Sequence, residues 1–429
     1  MSNCKILLID PPKTEMVYLK TKVRVGTPTY PSLSLALIAG SLINDYNVEI
    51  LDLDLFSNPE EVLEEKLKNY EPDYVGITCV TPSFYNLLRV AKIVKDVNKS
   101  TIVVVGGVHV TTFPEETVMD PSIDIVVMHE GDFKLKEIIE TSDLSKVDGI
   151  VFKKNGQIIK NDISEKIKDL DVLPYPAWNL FDIYKYKNSK LSVRDSPVCH
   201  IETSRGCPYN CAYCNKNIFG NRFRVKSTKR VVDEIEYIIS LGFKEFHVTD
   251  DSFTQKLDRA KEVCEEIISR GLKIHWHLMN GVRVDRVDFE FFKLAKRAGC
   301  WQVAFGIESG AQEILDRIGK RTTIEQVRKA VHLANKAGLD TFGFFMLGLP
   351  GETEESVKKS IKFASELPLS IMKFTITIPY PGTRYYNELD KMGYIKTKDW
   401  SKYILHGITE ELYQHPNMSW NIIRKYYNK

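Results

Sequence analysis

Short apolar runs alternate with amphipathic segments along the first third of the chain. The runs are rich in β-branched residues and almost continuously apolar, which is typical of strands covered on both faces of a parallel sheet. The segments between them carry apolar residues at helical spacing, with Ser, Pro or Asn near their ends. This pattern predicts an open, doubly wound parallel sheet. The predicted strands are Lys5–Asp10, Val48–Asp54, Tyr74–Val80, Thr101–Gly107 and Asp124–His129, and the predicted helices are Ser32–Asn44, Pro59–Asn69 and Ser83–Asn98.

A second series of strands and helices begins near residue 197. The segment Ser227–Leu241 is typical of its helices, because it starts with a capping Ser, carries one apolar stripe and stops at Gly242. Repeats of this kind predict a partial parallel barrel with its site at the carboxyl ends of the strands. The predicted strands are Val198–Thr203, Glu245–Asp250, Lys273–Met279, Trp301–Ser309, Thr341–Gly348 and Ile371–Pro379.

The two series predict an α/β protein: an N-terminal flavodoxin-like, doubly wound parallel sheet followed by a partial (βα)6 TIM-like barrel. Between them, Gly149–Asn161 reads as a hairpin with an Asn-Gly turn, and Asp171–Asp182 as an irregular crossing rich in Pro and aromatic residues. We therefore expect a sheet domain over 1–145, a hairpin and linker over 146–196, the barrel over 197–395 and a short helical segment over 396–429.

Composition limits the class of protein and its surroundings. The 429 residues are 43% hydrophobic and 27% charged, as in an ordinary soluble protein of two or three domains. The net charge of +2, from 59 basic and 57 acidic residues, argues against a nucleic-acid groove. The start of the chain has no signal-peptide pattern, and no apolar run reaches the ~18 residues of a membrane span. We expect a cytoplasmic protein, where thiols stay reduced.

One run of residues, Ser204–Cys214, is the densest candidate site in the sequence. It holds three of the eight cysteines, spaced C-x3-C-x2-C. A cubane iron–sulfur cluster normally takes four thiolates, so three would leave one iron open to a small molecule. Zinc sites more often show paired C-x2-C units or added histidines, and the sequence has no second pair. Buried or disulfide-forming cysteines are the alternative, but so dense a run usually marks a metal or redox site.

The run Ser204–Cys214 resembles the cysteine motif of the radical S-adenosylmethionine (SAM) enzymes. In that family three cysteines bind a 4Fe–4S cluster, the open iron chelates SAM, and an electron cleaves SAM to a 5′-deoxyadenosyl radical. The resemblance implies that Cys207, Cys211 and Cys214 are the cluster ligands. It also implies that Tyr213, the aromatic residue before the last cysteine, lies near the adenine.

Polar or glycine-rich groups follow the predicted barrel strands. Any one of them could be a solvated turn, but together they lie at the face where barrel enzymes carry out catalysis. The family resemblance implies that Asp250 and Asp251 meet the SAM amino group, and that the Arg283 guanidinium lies near its carboxylate. It further implies that Glu308 contacts the ribose and that the turn after strand five lies beside the adenine. The candidate SAM-binding residues are Tyr213, Asp250, Asp251, Arg283, Glu308, Ser309, Gly348 and Pro350.

A second candidate site lies at the carboxyl ends of the N-terminal strands, where ligands of doubly wound sheets bind. Gly106-Gly107 would let the backbone approach a bulky ligand closely, although tight turns explain the pattern equally well. Pro31-Ser32-Leu33, the Gly-Gly-Val-His turn and His129-Glu130-Gly131 resemble the cobalamin-binding domain of one radical SAM class, which often has Gly-Glu-Gly at the last position. The resemblance implies cobalamin contacts from Thr78, Thr81, Gly106, Gly107, His109, Glu130 and Gly131.

The lower face of the cobalt needs separate treatment. Methionine-synthase-like domains supply a histidine from a D-x-H-x-x-G motif, which this sequence lacks. His109 follows Gly106-Gly107 instead, so we interpret it as a turn residue or corrin contact. We expect the lower face to be open or to hold water.

These motifs predict a cobalamin-dependent radical SAM enzyme that methylates an unactivated carbon. A radical ring-forming or ring-contracting reaction without net methyl transfer is the alternative within enzymes. A non-catalytic iron–sulfur carrier or cobalamin sensor would not need the motifs after strands four and five, and a methylthiotransferase would need a further cysteine set. The sequence does not identify the substrate, which is a small molecule, lipid, peptide or protein. We expect an external electron donor such as ferredoxin or flavodoxin, and little cover over the site from the short segment that follows the barrel.

Overall fold

Two parallel sheets, one in each half of the chain, account for the predicted strands. The computed structural model describes residues 4–13, 29–163, 166–189, 192–404 and 410–428. The strands of the first sheet are β1 Lys5–Asp10, β2 Asn47–Asp52, β3 Tyr74–Thr78, β4 Ile102–Gly106, β5 Ile125–Val127, β6 Ile150–Lys154 and β7 Gln157–Lys160. The helices of this half are α1 Leu33–Gly40, α2 Pro59–Tyr70, α3 Phe84–Val97, α4 Val108–Thr112, α5 Pro114–Met119 and α6 Lys134–Glu140.

The strand order of the first sheet confirms the doubly wound prediction. The strands lie in the order β2-β1-β3-β4-β5-β6-β7, and the first five are parallel. The order 2-1-3-4-5 is that of the flavodoxin-like fold, whose ligands bind outside the carboxyl ends of the strands. The hairpin β6–β7 is present, but it does more than link domains. It pairs antiparallel with β5, with Val151 opposite Val126, and so extends the N-terminal sheet.

The second sheet is the predicted open barrel. Its strands lie in the order β15-β14-β13-β12-β11-β8 and all pair in parallel. They are β8 Val198–Ile201, β11 Glu245–Val248, β12 His275–Val282, β13 Cys300–Glu308, β14 Asp340–Leu347 and β15 Ile371–Ile376, and a small ribbon is formed by β9 Ser204–Arg205 and β10 Arg224–Val225. The helices are α7 Thr228–Ser240, α8 Leu257–Ser269, α9 Phe289–Arg297, α10 Gln312–Arg317, α11 Ile324–Lys336, α12 Glu354–Glu366, α13 Arg384–Lys391 and α14 Trp420–Tyr427.

Alternation along the barrel strands separates two faces. Cys199, Phe246 and Trp276 belong to the apolar core formed with the surrounding helices. Because neighbours along a strand point to opposite faces, the residue that follows each of these three in its own strand faces the concave side of the barrel. Those residues are the histidines His200, His247 and His277.

The crossing between the two halves packs into a shared core. Trp178 is 1% exposed and its ring lies 5.8 Å from that of Phe243, while the Ala177 amide donates to the Ala36 carbonyl. The aromatic residues of this crossing therefore fix the sheet domain against the barrel. No helix within the described ranges is long and apolar enough to cross a bilayer. The eight cysteines, all within the described ranges, form no disulfide.

Candidate active site

A cavity of about 760 Å³ lies between the carboxyl edge of the N-terminal sheet and the first barrel strand. The barrel contributes His200, Glu202 and Arg205 to the lining, and the sheet domain contributes charged side chains as well, among them Lys13 and Asp132. The sheet contributes most of the residues predicted to contact cobalamin, which are Thr78, Gly106, Gly107, Glu130 and Gly131. The cavity therefore joins the candidate cobalamin site to Glu202 and Arg205, which lie just before the first cysteine of the loop, and none of the candidate cluster or SAM-binding residues is among its lining residues.

Glycines shape the wall of this cavity that belongs to the N-terminal sheet. Gly107 has φ +117°, and a Cβ there would lie 2.2 Å from the Cys79 carbonyl oxygen. A Cβ on Gly76 would lie 2.7 Å from the Leu8 side chain. Only glycine allows the backbone at these positions to pack this closely against its neighbours and leave space in the cavity. A large flat ligand such as a corrin fits such a wall.

Thr81 and His109 lie outside the cavity. The His109 ring is 4.4 Å from the ring of Phe84 and 5.3 Å from that of Trp400, and its Nδ1 lies 3.4 Å from the Thr81 hydroxyl. Burial lowers the pKa of His109 to about 4, so this imidazole is neutral at pH 7. His109 lies in helix α4 and packs the sheet domain against the segment after the barrel. It is therefore neither a turn residue nor one of the residues that line the cavity.

The cysteine loop, residues 204–214, is pinned to the barrel at several points. Gly206 has φ +80°, and a Cβ there would lie 2.3 Å from the Arg222 carbonyl oxygen. The Ala212 amide donates to the Ile318 carbonyl, and the Ala212 carbonyl accepts from the Tyr385 amide. The Lys216 ammonium donates to the Cys207 carbonyl at 3.0 Å. These bonds hold the loop over the carboxyl ends of the barrel strands.

The three thiols of this loop fit a cluster site. Cys207 and Cys211 are half-buried and Cys214 is exposed on one side. The surrounding protein atoms, and after them the Asp251 carboxylate and the other two thiols, raise the pKa of Cys214 to about 11. The thiols are thus close enough to act on one another. Three thiols on one accessible loop are the donor set that a cluster with one open iron needs.

Glu308 forms the centre of the candidate SAM pocket. Its Oε1 accepts from the Tyr213 hydroxyl at 2.8 Å and from the Lys320 ammonium at 2.7 Å. Glu308 has φ +68°, a strained value for a residue with a side chain, and such strain often occurs at functional sites. A Cβ on Gly306 would lie 2.7 Å from Glu308 Oε1, so a side chain there would displace the Glu308 carboxylate. The structure thus brings Tyr213 and Glu308, two of the candidate SAM-binding residues, into contact.

The two adjacent aspartates have different surroundings. Asp250 is buried and accepts from the Thr203 amide, the Thr203 hydroxyl and the Ser204 hydroxyl, each at 2.6 Å. Its carboxylate is therefore occupied by hydrogen bonds from residues at the start of the cysteine loop. Asp251 is exposed, and its Oδ2 accepts from the Gly206 amide at 3.2 Å. Asp251 is the one left with access to a ligand of the loop.

Arg283 and Ser309 are also held by protein groups. The Arg283 guanidinium lies 3.4 Å above the ring of Tyr209 in the cysteine loop, and its Nε donates to Asp285 at 2.9 Å. Arg283 is thus beside the cysteine loop but already stacked and paired. The Ser309 hydroxyl lies 3.0 Å from that of Ser360 and is fully buried. Ser309 positions the turn after β13 and does not reach a ligand.

The segment 410–428 covers the turn that contains Gly348 and Pro350. The hydroxyls of Tyr385 and Tyr413 donate to the Gly348 carbonyl at 3.1 and 3.0 Å, and His415 Nε2 lies 3.0 Å from the Leu349 carbonyl. Gly348 has φ +83°, and a Cβ there would lie 2.6 Å from the Tyr413 hydroxyl. The chain after the barrel therefore does cover part of the site, which differs from the expectation of little cover.

Several residues of the site were missed by sequence analysis. The Arg205 guanidinium donates two bonds to Asp132, both at 2.8 Å, and its Nε donates to Glu202 at 2.6 Å. Arg205 is 2% exposed and lies two residues before the first cluster cysteine. A second buried arginine, Arg224, pairs with Glu130. These pairs join the cysteine loop to the cavity wall of the sheet domain, and Lys320 joins them as a missed neighbour of the SAM pocket. The only signal that the sequence offered for these basic residues was their position close to the cysteines or to the ends of the predicted strands.

Comparisons with known proteins decide the family. The Radical SAM superfamily matches residues 201–364, and the B12 binding domain matches residues 21–139. Over 414 residues the chain is 37% identical to "Uncharacterized methyltransferase PH0819" of Pyrococcus horikoshii, covering 94% of this chain and 87% of that protein. The chain belongs to the cobalamin-dependent radical SAM methyltransferases. The predicted cofactors are confirmed with it: the enzyme uses a 4Fe–4S cluster, SAM and cobalamin.

Two further likenesses complete the picture. The anaerobic magnesium-protoporphyrin IX monomethyl ester cyclase of Rubrivivax gelatinosus is 30% identical over 389 residues, which cover 87% of this chain and 68% of the cyclase. The radical SAM methyltransferase TsrM of Kitasatospora setae, solved with cobalamin and a 4Fe–4S cluster, matches with a TM-score of 0.74 at 21% identity. That match covers 91% of this chain and 75% of TsrM, and confirms the fold.

Proposed function

We propose that this methyltransferase places its substrate in the cavity between the sheet and the barrel and methylates an unactivated carbon there. The cluster with SAM supplies hydrogen-atom abstraction when bound, and cobalamin supplies the methyl group. The observation that carries the proposal is the shared cavity. Residues at the cobalamin edge, such as Gly107, and residues leading into the cysteine loop, such as Arg205, line the same space.

The side chains of the barrel orient SAM in this proposal. Cys207, Cys211 and Cys214 hold the cluster. Glu308 Oε1 is fixed by Tyr213 and Lys320, which leaves Oε2 as the atom we assign to the ribose hydroxyls.

The SAM amino group and carboxylate meet opposite charges in the same proposal. The amino group lies near the exposed Asp251 carboxylate, and the SAM carboxylate near the Arg283 guanidinium, which Tyr209 holds in place by stacking. Asp250 and Ser309 do not contact SAM in this proposal; they fix the turns that carry the SAM-binding residues.

Exclusion of water is the second task of the protein. The floor of the cavity is apolar, with Leu8, Val105 and Leu135 among its lining residues. The Arg205–Asp132 pair closes the junction between the two halves, and both partners are buried. Reactive carbon species survive in such a site because little solvent reaches them.

The electrons for SAM cleavage come from outside the chain in this proposal, from a low-potential carrier such as ferredoxin or flavodoxin. None of the eight described cysteines forms a disulfide, which supports a reducing compartment such as the cytoplasm. The substrate class stays open, from a small molecule to a peptide, protein or lipid group that reaches the cavity.

The test is the ratio of products. Holoenzyme reconstituted with cluster and cobalamin receives SAM, a reductant and candidate substrates. Methylation predicts one S-adenosylhomocysteine and one 5′-deoxyadenosine for each methylated product. The cyclase likeness makes ring formation the second candidate, and product formed with 5′-deoxyadenosine but no S-adenosylhomocysteine would favour it.

A further inference from the structure

Three histidines form a row on the concave side of the barrel, away from the cysteine loop. His200 on β8 and His277 on β12 both pair in register with His247 on β11. The rings of His247 and His277 have centroids 3.8 Å apart, and those of His200 and His247 are 5.7 Å apart. Glu245 lies two residues before His247 and therefore shares its face.

The ring nitrogens of this row are incompletely paired. His247 is 0% exposed and His277 is 5% exposed. Within the described part of the chain, His247 Nδ1, both ring nitrogens of His277 and His200 Nε2 have no hydrogen-bond partner. Buried polar atoms are almost always satisfied, so a cluster of such nitrogens indicates a ligand.

Glu245 is held rigidly beside the imidazoles. Its Oε1 accepts from the Trp301 indole at 3.1 Å and lies 3.0 Å from His247 Nε2. Its Oε2 accepts from the amides of Arg194 and Asp195 at 2.7 and 3.0 Å. The carboxylate is therefore preorganised, and its geometry does not depend on the imidazoles.

We propose that Glu245, His247 and His277 bind a single divalent transition-metal ion. One donor atom from each residue lies within 4.8 Å of the other two. Two imidazoles and a carboxylate suit zinc, cobalt, nickel or ferrous iron, whereas magnesium and calcium prefer oxygen ligands throughout. With three protein ligands a fourth position remains, as in metal sites that bind a substrate or a water.

The row of histidines lies beside the cavity of the proposed reaction. His200 lines that cavity, and Tyr30 lies beside both His200 and His247, at ring distances of 4.6 and 5.2 Å. An ion on Glu245, His247 and His277 is thus separated from the cavity by these two side chains.

The test uses full-length protein in which Cys207, Cys211 and Cys214 are all changed to Ala, so that thiolates of the cluster site cannot bind metal. Metal-stripped protein is incubated with Zn²⁺, desalted and analysed for zinc. We expect about one retained equivalent, and a Tm that rises with Zn²⁺ concentration. Adding His277→Gln, or separately His247→Gln, should remove both effects. Adding His332→Gln, a change of an exposed histidine on α11, should leave both unchanged.

The results separate the occupants of the row. Co²⁺ in place of Zn²⁺ should give the intense visible absorption of a four- or five-coordinate ion, and the His277→Gln protein should lack it. Zinc retention that is unchanged by His277→Gln and His247→Gln, or no retention by the parent protein, would overturn the proposal and leave water or substrate as the partner of the imidazoles. Because the protein tested cannot carry the cluster, the result does not depend on methyl transfer.

Discussion

The two walls of the active-site cavity are built on different principles. The wall from the sheet domain includes glycines whose missing side chains let the backbone pack closely, as at Gly107, beside apolar and charged side chains. The wall from the barrel is held to the sheet domain by buried charged pairs that cross the junction, such as Arg205–Asp132. A backbone wall accommodates a large preformed cofactor, whereas a paired wall holds a loop at a fixed distance. The predictions below separate these two roles.

The largest effect is expected at the cysteine loop. Cys211→Ala removes one of three cluster ligands, so iron content should fall from about four atoms per chain to near zero. 5′-Deoxyadenosine formation should then be lost, while bound cobalamin is retained. Cys4→Ala, which changes a half-buried cysteine before β1, is the control and should keep about four iron atoms. Normal SAM cleavage by Cys211→Ala would remove the cluster assignment.

The second-largest effect is expected for a glycine of the sheet-domain wall, and among the cofactors it should affect the binding of cobalamin alone. Gly107→Ala puts a Cβ 2.2 Å from the Cys79 carbonyl in a left-handed conformation, and should lower the free energy of unfolding by about 3 kcal/mol or more. Cobalamin retained after desalting, measured by its absorption, should fall at least tenfold.

The matched control for this glycine is Gly156→Ala in the β6–β7 turn. Gly156 has φ +78° but nothing within 4 Å of its Cβ position. It should cost only the backbone strain of about 1–2 kcal/mol and leave cobalamin binding intact. Equal cobalamin loss in both variants would show that strain, and not the shape of the wall, decides binding.

Arg205→Lys tests the paired wall. Lysine keeps the charge but loses the two-pronged bond to Asp132, which should cost about 1–3 kcal/mol of stability. We expect cluster and cobalamin contents near normal, but more 5′-deoxyadenosine per methylated product, because the two cofactors are no longer held at a fixed distance. Arg328→Lys, in the exposed pair with Glu366, is the control and should change neither quantity. An unchanged product ratio in Arg205→Lys would mean that the pair only stabilises the fold.

The smallest effect is a dependence of stability on pH. Glu352 is buried under the Gly348 turn, and burial raises its pKa to about 7. A carboxyl whose folded pKa lies above its unfolded value loses stability as the pH rises between the two, here from about 4.5 to about 7. Glu352→Gln should remove this loss, on the order of 3 kcal/mol, and unfold with less dependence on pH in that window. Parallel pH profiles of the two proteins would show that Glu352 is ionised throughout.

The contrast between the walls also explains what the sequence could predict. Apolar runs identified β1 at Lys5–Asp10 and the barrel strands to within a few residues, because burial on both faces leaves a pattern along the chain. The cysteine spacing and the Gly106-Gly107 pair were equally visible. The partners Arg205–Asp132 and Glu308–Lys320 were not, since they join residues whose proximity depends on the tertiary fold.

Other misplaced residues share that physical cause. Asp250 and Asp251 are adjacent in sequence, yet the Asp250 carboxylate is hydrogen-bonded to Thr203, just before the cysteine loop, whereas Asp251 is exposed. His109 follows the glycine pair closely, but helix α4 turns its ring toward Trp400 and away from the cavity. The β6–β7 hairpin was recognised, while its pairing with β5 was not, because hairpin signals are local and sheet membership is not.

The central claim is that a methyl group carried by cobalamin reaches a substrate carbon inside the shared cavity. Holoenzyme is loaded with cobalamin that carries an unlabelled methyl group and is then given SAM with a trideuterated methyl group, reductant and substrate. Mass spectrometry should find that the first methylated product carries the unlabelled methyl group and that later products carry the trideuterated one. A first product that already carries the trideuterated methyl group would contradict the account, because the methyl group would then pass from SAM to the substrate without cobalamin.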